Sequence, residues 1–139
     1  MKKNKYQILI YDDCKKLLNL FKEFIENEYN LIHLTSSYRS ATNKISELKF
    51  DIVLIKVGID NIRNTLRLIE HINSRSKKTV VIGLTTFIKG VPDSILDNNK
   101  IINILEKPFT PNKLFQTLKK AKLHLNDHKK KRKLFRLVK

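Results

Sequence analysis

The sequence predicts an α/β fold: a parallel five-stranded sheet covered by helices on both faces. Three observations predict it. Five short, nearly all-aliphatic runs alternate with segments whose apolar residues recur at helical spacing. The runs show no polar face, as strands buried on both sides require. Each run also ends in polar or charged residues, at the carboxyl edge where such sheets place their sites.

The first strand is Tyr6-Gln-Ile-Leu-Ile-Tyr11, enriched in β-branched and aromatic residues and stopped by Asp12 and Asp13. Either aspartate can cap the helix that follows, whose apolar positions are Leu17, Leu18, Phe21, Phe24 and Ile25. Asn30–Thr35 is the second strand, and Ser36-Ser37 caps a helix marked by Ala41, Ile45 and Leu48. The third strand, Ile52–Ile55, ends at Lys56. The third helix opens near Asp60-Asn61 with Ile62, Leu66, Ile69 and Ile72 on its apolar face. Thr79–Leu84 is the fourth strand, followed by Thr85 and Thr86. Residues 87–100 contain Gly90, Pro92 and two adjacent asparagines, so a fourth helix there is short or irregular. The fifth strand, Ile101–Leu105, ends at Glu106-Lys107-Pro108. The last helix starts at Pro111, which suits a first helical turn, and carries Leu114, Leu118, Ala121 and Leu125.

The chain has 139 residues, 41% hydrophobic and 30% charged, with three Gly and three Pro, which is the composition of a globular protein. A chain of this length buries roughly two-thirds of its unfolded surface and needs no staples. It divides into one domain over residues 1–125 and a basic tail over 126–139. No apolar run approaches the roughly 20 residues that span a bilayer. The basic start soon meets two aspartates, so a soluble, cytoplasmic protein is expected. Cys14 is the single cysteine, which excludes an internal disulfide, and it has no evident base to make it a nucleophile. His33, His71, His124 and His128 share no metal-binding spacing.

The formal net charge is +16. Seven Lys/Arg and one Asp fall in residues 126–139, so the tail holds about +6 of it. Such a balance attracts polyanions: nucleic acid, an anionic membrane surface or an acidic protein. A lysine-rich composition bias of the whole chain explains it equally well. In the tail, the block Lys129–Lys133 is joined to Leu134-Phe-Arg-Leu-Val138. Residues 129–139 therefore suggest a contact with nucleic acid or an anionic membrane, against a solvated extension of the last helix.

Asp12, Asp13, Lys56, Thr85 and Lys107 thus converge at the carboxyl ends of the strands. In this order they resemble the receiver domain of two-component response regulators, over roughly residues 6–125. The resemblance rests on the acidic pair after the first strand, the threonine after the fourth and Lys107-Pro108-Phe109 after the fifth. It implies a flavodoxin-like (CheY-like), doubly wound sheet of strand order 2-1-3-4-5. It also implies phosphoryl transfer to an aspartate at the end of the third strand, with Mg²⁺ held by Asp12 and Asp13 and the phosphoryl oxygens contacted by Thr85 and Lys107.

The acceptor position falls on Lys56. An ammonium has no lone pair with which to attack phosphorus, and neighbouring aspartates oppose its deprotonation. Mg²⁺ would lose a carboxylate ligand there and meet a positive charge, so its binding is expected to be weak or lost. The favoured arrangement places the Lys56 ammonium where the metal would sit, paired with Asp12 or Asp13. The simpler readings are a helix cap for the aspartates and a stem reaching water for the lysine. Two further positions depart from the family pattern: Ile59-Asp60 where Met-Pro is common, and Ile104 where an aromatic is favoured. Asp51 and Asp60 are weak substitute acceptors, since Asp51 begins its strand at the wrong end and Asp60 suits a cap.

The expectation is a stand-alone, degenerate receiver with no enzymatic activity, no cofactor and no small-molecule substrate. It would act on a protein partner such as a signalling kinase or an output protein, independently of phosphorylation. The alternative is a polyanion-binding protein that uses the receiver fold as a scaffold.

Overall fold

A computed structural model describes the backbone of residues 4–138, and their side chains apart from those of residues 4, 30, 59 and 128–138. Strands β1 (Asn4–Tyr11), β2 (Tyr29–Thr35), β3 (Ile52–Lys56), β4 (Val80–Thr85) and β5 (Ile101–Glu106) form one sheet in the order β2-β1-β3-β4-β5. Every neighbouring pair is parallel. Helices α1 (Lys15–Ile25), α2 (Tyr38–Glu47), α3 (Ile62–Arg75), α4 (Asp93–Leu96) and α5 (Pro111–Val138) connect the strands and cover both faces. The architecture and strand order are those the sequence implies.

Strand side chains point alternately to opposite faces, so an all-aliphatic strand feeds two cores at once. Ile8, Ile10, Ile52, Leu54 and Ile82 pack with α1 and α5 on one side. Leu9, Tyr11, Val53, Ile55 and Val81 pack with α2, α3 and α4 on the other. Gly83 of β4 leaves room for two side chains of this second core: a Cβ there would stand 3.1 Å from Val57 Cγ2 and 3.3 Å from Ile104 Cγ1. Among the described residues no helix is long and apolar enough to cross a membrane.

Local differences from the sequence reading have physical causes. Neither aspartate caps α1. Its N-cap is Cys14, without a side-chain bond, because Asp12 is buried and its Oδ1 instead accepts the Cys14 N–H at 2.9 Å. Ser37 does cap α2, its Oγ accepting the Ser40 N–H at 3.1 Å. A 3₁₀ turn over Ile59–Asn61 precedes α3. The helix buries Thr65, Leu68, Ile69 and Ile72 against the sheet, leaving Ile62 and Leu66 half-buried.

Residues 87–100 hold a 3₁₀ turn, Ile88–Gly90, and the single turn α4. Leu114, Leu118, Ala121 and Leu125 of α5 are buried as expected. The helical backbone of α5 does not break between residues 125 and 126, so the basic tail continues it. The nucleic acid or membrane contacts expected through residues 129–139 rest on side chains outside those described.

Candidate functional site

Parallel register aligns the carboxyl ends of the four strands that matter here. Tyr11 pairs with Ile55, Lys56 with Leu84, and Thr85 with Glu106. The residues that end or follow these strands are thereby gathered around one cavity of about 590 Å³. Asp12, Asp13, Lys56, Thr85 and Lys107 all line it, so the five positions singled out in the sequence meet in space. Cys14, Asp60, Thr86 and Phe87 complete much of the wall.

Two ion pairs divide the floor. Asp12 is wholly buried, and its Oδ2 accepts a hydrogen bond from Lys107 Nζ at 2.5 Å. Its backbone N–H donates to the Thr35 carbonyl at 3.2 Å, which ties the turn after β1 to β2. Lys107 in turn donates its backbone N–H to the Thr85 carbonyl at 2.7 Å, and the Lys107–Pro108 peptide bond is cis. Asp13 points the other way, with 61% of its side chain exposed, and its Oδ2 accepts from Lys56 Nζ at 2.6 Å. Lys56 therefore pairs with Asp13, and Asp12 belongs to Lys107.

The electrostatics follow the geometry. The hydrogen bond from the Lys56 ammonium holds the Asp13 carboxyl below its ordinary range, against a smaller effect of burial. The same hydrogen bond raises Lys56 above the usual lysine value, assisted by the charges of Asp13 and Asp12. Burial raises the phenol of Tyr11 beneath them, while the charge of Lys56 opposes the rise. Lys56 is thus held in its protonated form.

Thr85 is buried, and its hydroxyl is engaged by its own loop: Oγ1 accepts the Phe87 N–H at 3.2 Å. Glu106, which the sequence reading passed over, fixes the same loop, since its Oε2 accepts the Ile88 N–H at 2.7 Å. The available signal was a carboxylate ending β5 immediately before Lys107.

The other candidates lie apart or carry different bonds. Asp51 Oδ2 accepts the Gln7 N–H at 2.8 Å, where β3 begins. Asp60 lines the cavity from the 3₁₀ turn and is exposed, and the N-cap of α3 is Asn61. His33 packs edge-on against Phe50, His71 Nε2 lies 2.8 Å from Ser46 Oγ, and His124 is exposed on α5. The side chain of His128 lies outside those described. Among the described residues, no three His, Cys, Asp or Glu side chains gather at metal-binding range.

Comparison with known proteins identifies the family and the fold. The family model of the response regulator receiver domain matches residues 8–119. A CheY-like response regulator receiver domain protein from Methanospirillum hungatei shares 21% identity, with 92% of this chain and 99% of that one covered and a TM-score of 0.73. The chemotaxis protein CheY4 of Vibrio cholerae shares 20% identity over 85% of this chain and 99% of its own, with a TM-score of 0.71. The signal receiver domain of an HD domain-containing protein from Pseudomonas fluorescens shares 19% identity, covering 94% and 96%, with a TM-score of 0.74. At these identities the structural likeness is one of fold. No curated protein matches the chain. The family model spans all five strands from Ile8 onward and reaches into α5, and on that match the chain belongs to the response regulator receiver domain family of two-component signalling.

Proposed function

We propose that this receiver domain signals through protein contacts without being phosphorylated, because Lys56 occupies the position where the family carries its phosphate-accepting aspartate. The observation that carries the reading is the Lys56–Asp13 pair at 2.6 Å, at the carboxyl end of β3 inside the cavity that Thr85 and Lys107 also line. A lysine raised above its ordinary pKa offers no lone pair at neutral pH, so it cannot take the aspartate's part as nucleophile.

The residues present do not fit Mg²⁺. The ion requires oxygen ligands in near-octahedral geometry. Here an oxygen of each aspartate is already held by an ammonium, and one of those ammonium groups ends β3. A divalent ion about 4 Å from a lysine would meet repulsion of several kcal/mol even at an effective dielectric near 20. On this reading Lys56 and Lys107 supply the positive charges that Asp13 and Asp12 would otherwise take from a metal.

With Thr85 bonded to Phe87 and Glu106 to Ile88, the loop after β4 is held in one arrangement. The partner-docking surface on this reading is the edge formed by β4, β5 and α5, beside which Phe87, Ile88 and Leu96 are exposed apolar side chains. A protein partner such as a kinase or an output protein would meet that edge in a single conformation.

Amide NMR during a Mg²⁺ titration tests the reading. The native chain is expected to show no saturable shift at Asp12, Asp13 or Lys56. A Lys56→Asp variant is expected to bind the ion about tenfold or more tighter, as removal of one close positive charge implies. Saturable Mg²⁺ binding by the native chain at these amides would overturn it.

A further inference from the structure

The amino edge of the sheet, opposite the Asp12–Lys107 pair, carries a second hollow of about 480 Å³. The last turns of α3, the connection from α3 to β4 and the segment ahead of β5 wall it. Lys77 and Lys100 are its cationic lining residues.

Lys100 is fixed in this wall by its backbone. Its N–H donates to Asn98 Oδ1 at 2.9 Å, and its carbonyl accepts the Val81 N–H at 3.1 Å. The half-buried side chain crosses to the end of α3, where Nζ donates to the Ser76 carbonyl at 2.9 Å and to the Lys77 carbonyl at 3.0 Å. An ammonium carries three hydrogens, and the described residues engage two of them.

No carboxylate meets that charge. The chain has 13 Asp and Glu residues, all with described side chains, and none forms an ion pair with Lys100. Lys56 and Lys107, which are also partly buried, each bond an aspartate. Two carbonyl dipoles offset the lost hydration of Lys100 only in part, and burial pushes its amine down to about 8. At neutral pH it is still mainly protonated, as a cation without a counter-ion.

The rest of the wall is rich in hydrogen-bond donors. Asn98 Oδ1 is taken by the Lys100 N–H, so the amide hydrogens of Asn98 are what its side chain has left to offer. Asn73, Lys77 and Asn99 are exposed around it, and Glu70 is the one carboxylate among the lining residues.

We infer that this hollow binds a small oxyanion, the phosphate or carboxylate group of a diffusible ligand, with Lys100 and Lys77 as its cationic contacts. An oxyanion supplies the counter-ion that Lys100 lacks and accepts from its third hydrogen and from the asparagine amides. The volume lies in the range of small-molecule sites, so the hollow has room for more than the charged group itself. A metal cation fits badly, since two ammonium groups face one carboxylate there. The ligand would join the end of α3 to the start of β5, at the opposite end of the strands from Lys56 and Thr85. The inference stands independently of whether the other site is phosphorylated.

Amide NMR of the full chain, titrated with sodium phosphate or sodium succinate at constant ionic strength, tests it. At least one of the two probes is expected to give saturable shifts at Lys77, Lys78 and residues 98–101, and the probe that saturates identifies the group bound. Lys100→Gln and Lys77→Gln are each expected to weaken that binding about tenfold, as loss of one of two close charges implies. Lys77 is exposed, so its variant keeps the fold even if Lys100→Gln loosens the end of α3. No saturable shift at these amides with either probe, or native affinity in the Lys77→Gln variant, overturns the inference.

Discussion

Lys56 Nζ lies 2.6 Å from Asp13 Oδ2, and this pair faces solvent while Lys107 and Asp12 pair beneath it. The two bridges use the same chemistry at different depths, and they should therefore behave differently when broken. Lys56 and Asp13 retain 28% and 61% of their side-chain exposure, so water screens their attraction. Replacing Lys56 by Met should change stability by no more than about 1 kcal/mol.

The pH dependence of that small difference follows from the directions of the two shifts. Asp13 is lowered from 3.8, so its contribution is present above that value and is lost as pH falls through its folded pKa. Lys56 is raised from 10.5, so its contribution is complete below that value and is lost as pH rises beyond it. Urea midpoints of the native chain and of Lys56→Met should differ most between these limits and converge at both extremes. A difference that grows in acid would contradict the assigned pairing.

The buried pair should cost more. Asp12→Ala removes the partner of Lys107, which is only 17% exposed, and of the Cys14 N–H. Stranding a largely buried ammonium and an amide should destabilise the fold by about 2–4 kcal/mol. Asp13→Ala, which uncovers an exposed pair, should stay within about 1 kcal/mol. Denaturant unfolding of the two variants side by side checks the order.

The fold was legible because all-aliphatic runs alternating with helical periodicity admit few other topologies, and the site because every polar strand end lies on the same edge. The partition of the charges was not legible. Asp12 and Asp13 are adjacent in sequence, and only the packing of the turn after β1 decides that the first is buried toward Lys107 and the second is exposed toward Lys56. The same burial removed Asp12 from the cap of α1. The apolar face of α3 was only partly legible: Ile69 and Ile72 are buried as expected, but Leu68 and Thr65 are buried with them and Ile62 and Leu66 only partly so, because how the helix sits on the sheet is decided by packing. Glu106 escaped notice because its partner is a backbone N–H, which no side-chain pattern announces.

Glu106 offers a third prediction, on dynamics. Its Oε2 is the acceptor for the Ile88 N–H, and the exposed loop around it has little apolar packing of its own. Glu106→Ala should raise hydrogen exchange at Ile88 and its neighbours by about tenfold, as loss of one charge-assisted hydrogen bond implies, while leaving the β4 amides protected. Exchange unchanged at Ile88 would show that the carboxylate does not hold the loop.

Phosphorylation itself is the most direct measurement. The native chain is incubated with Mg²⁺ and a small-molecule phosphodonor, and its intact mass is read before any acyl phosphate can hydrolyse. With Lys56 at the end of β3, protonated and bonded to Asp13, the mass should remain that of the unmodified chain, under conditions that modify a receiver domain bearing aspartate at this position. A stoichiometric gain of one phosphoryl group would contradict the central claim, whichever residue carried it.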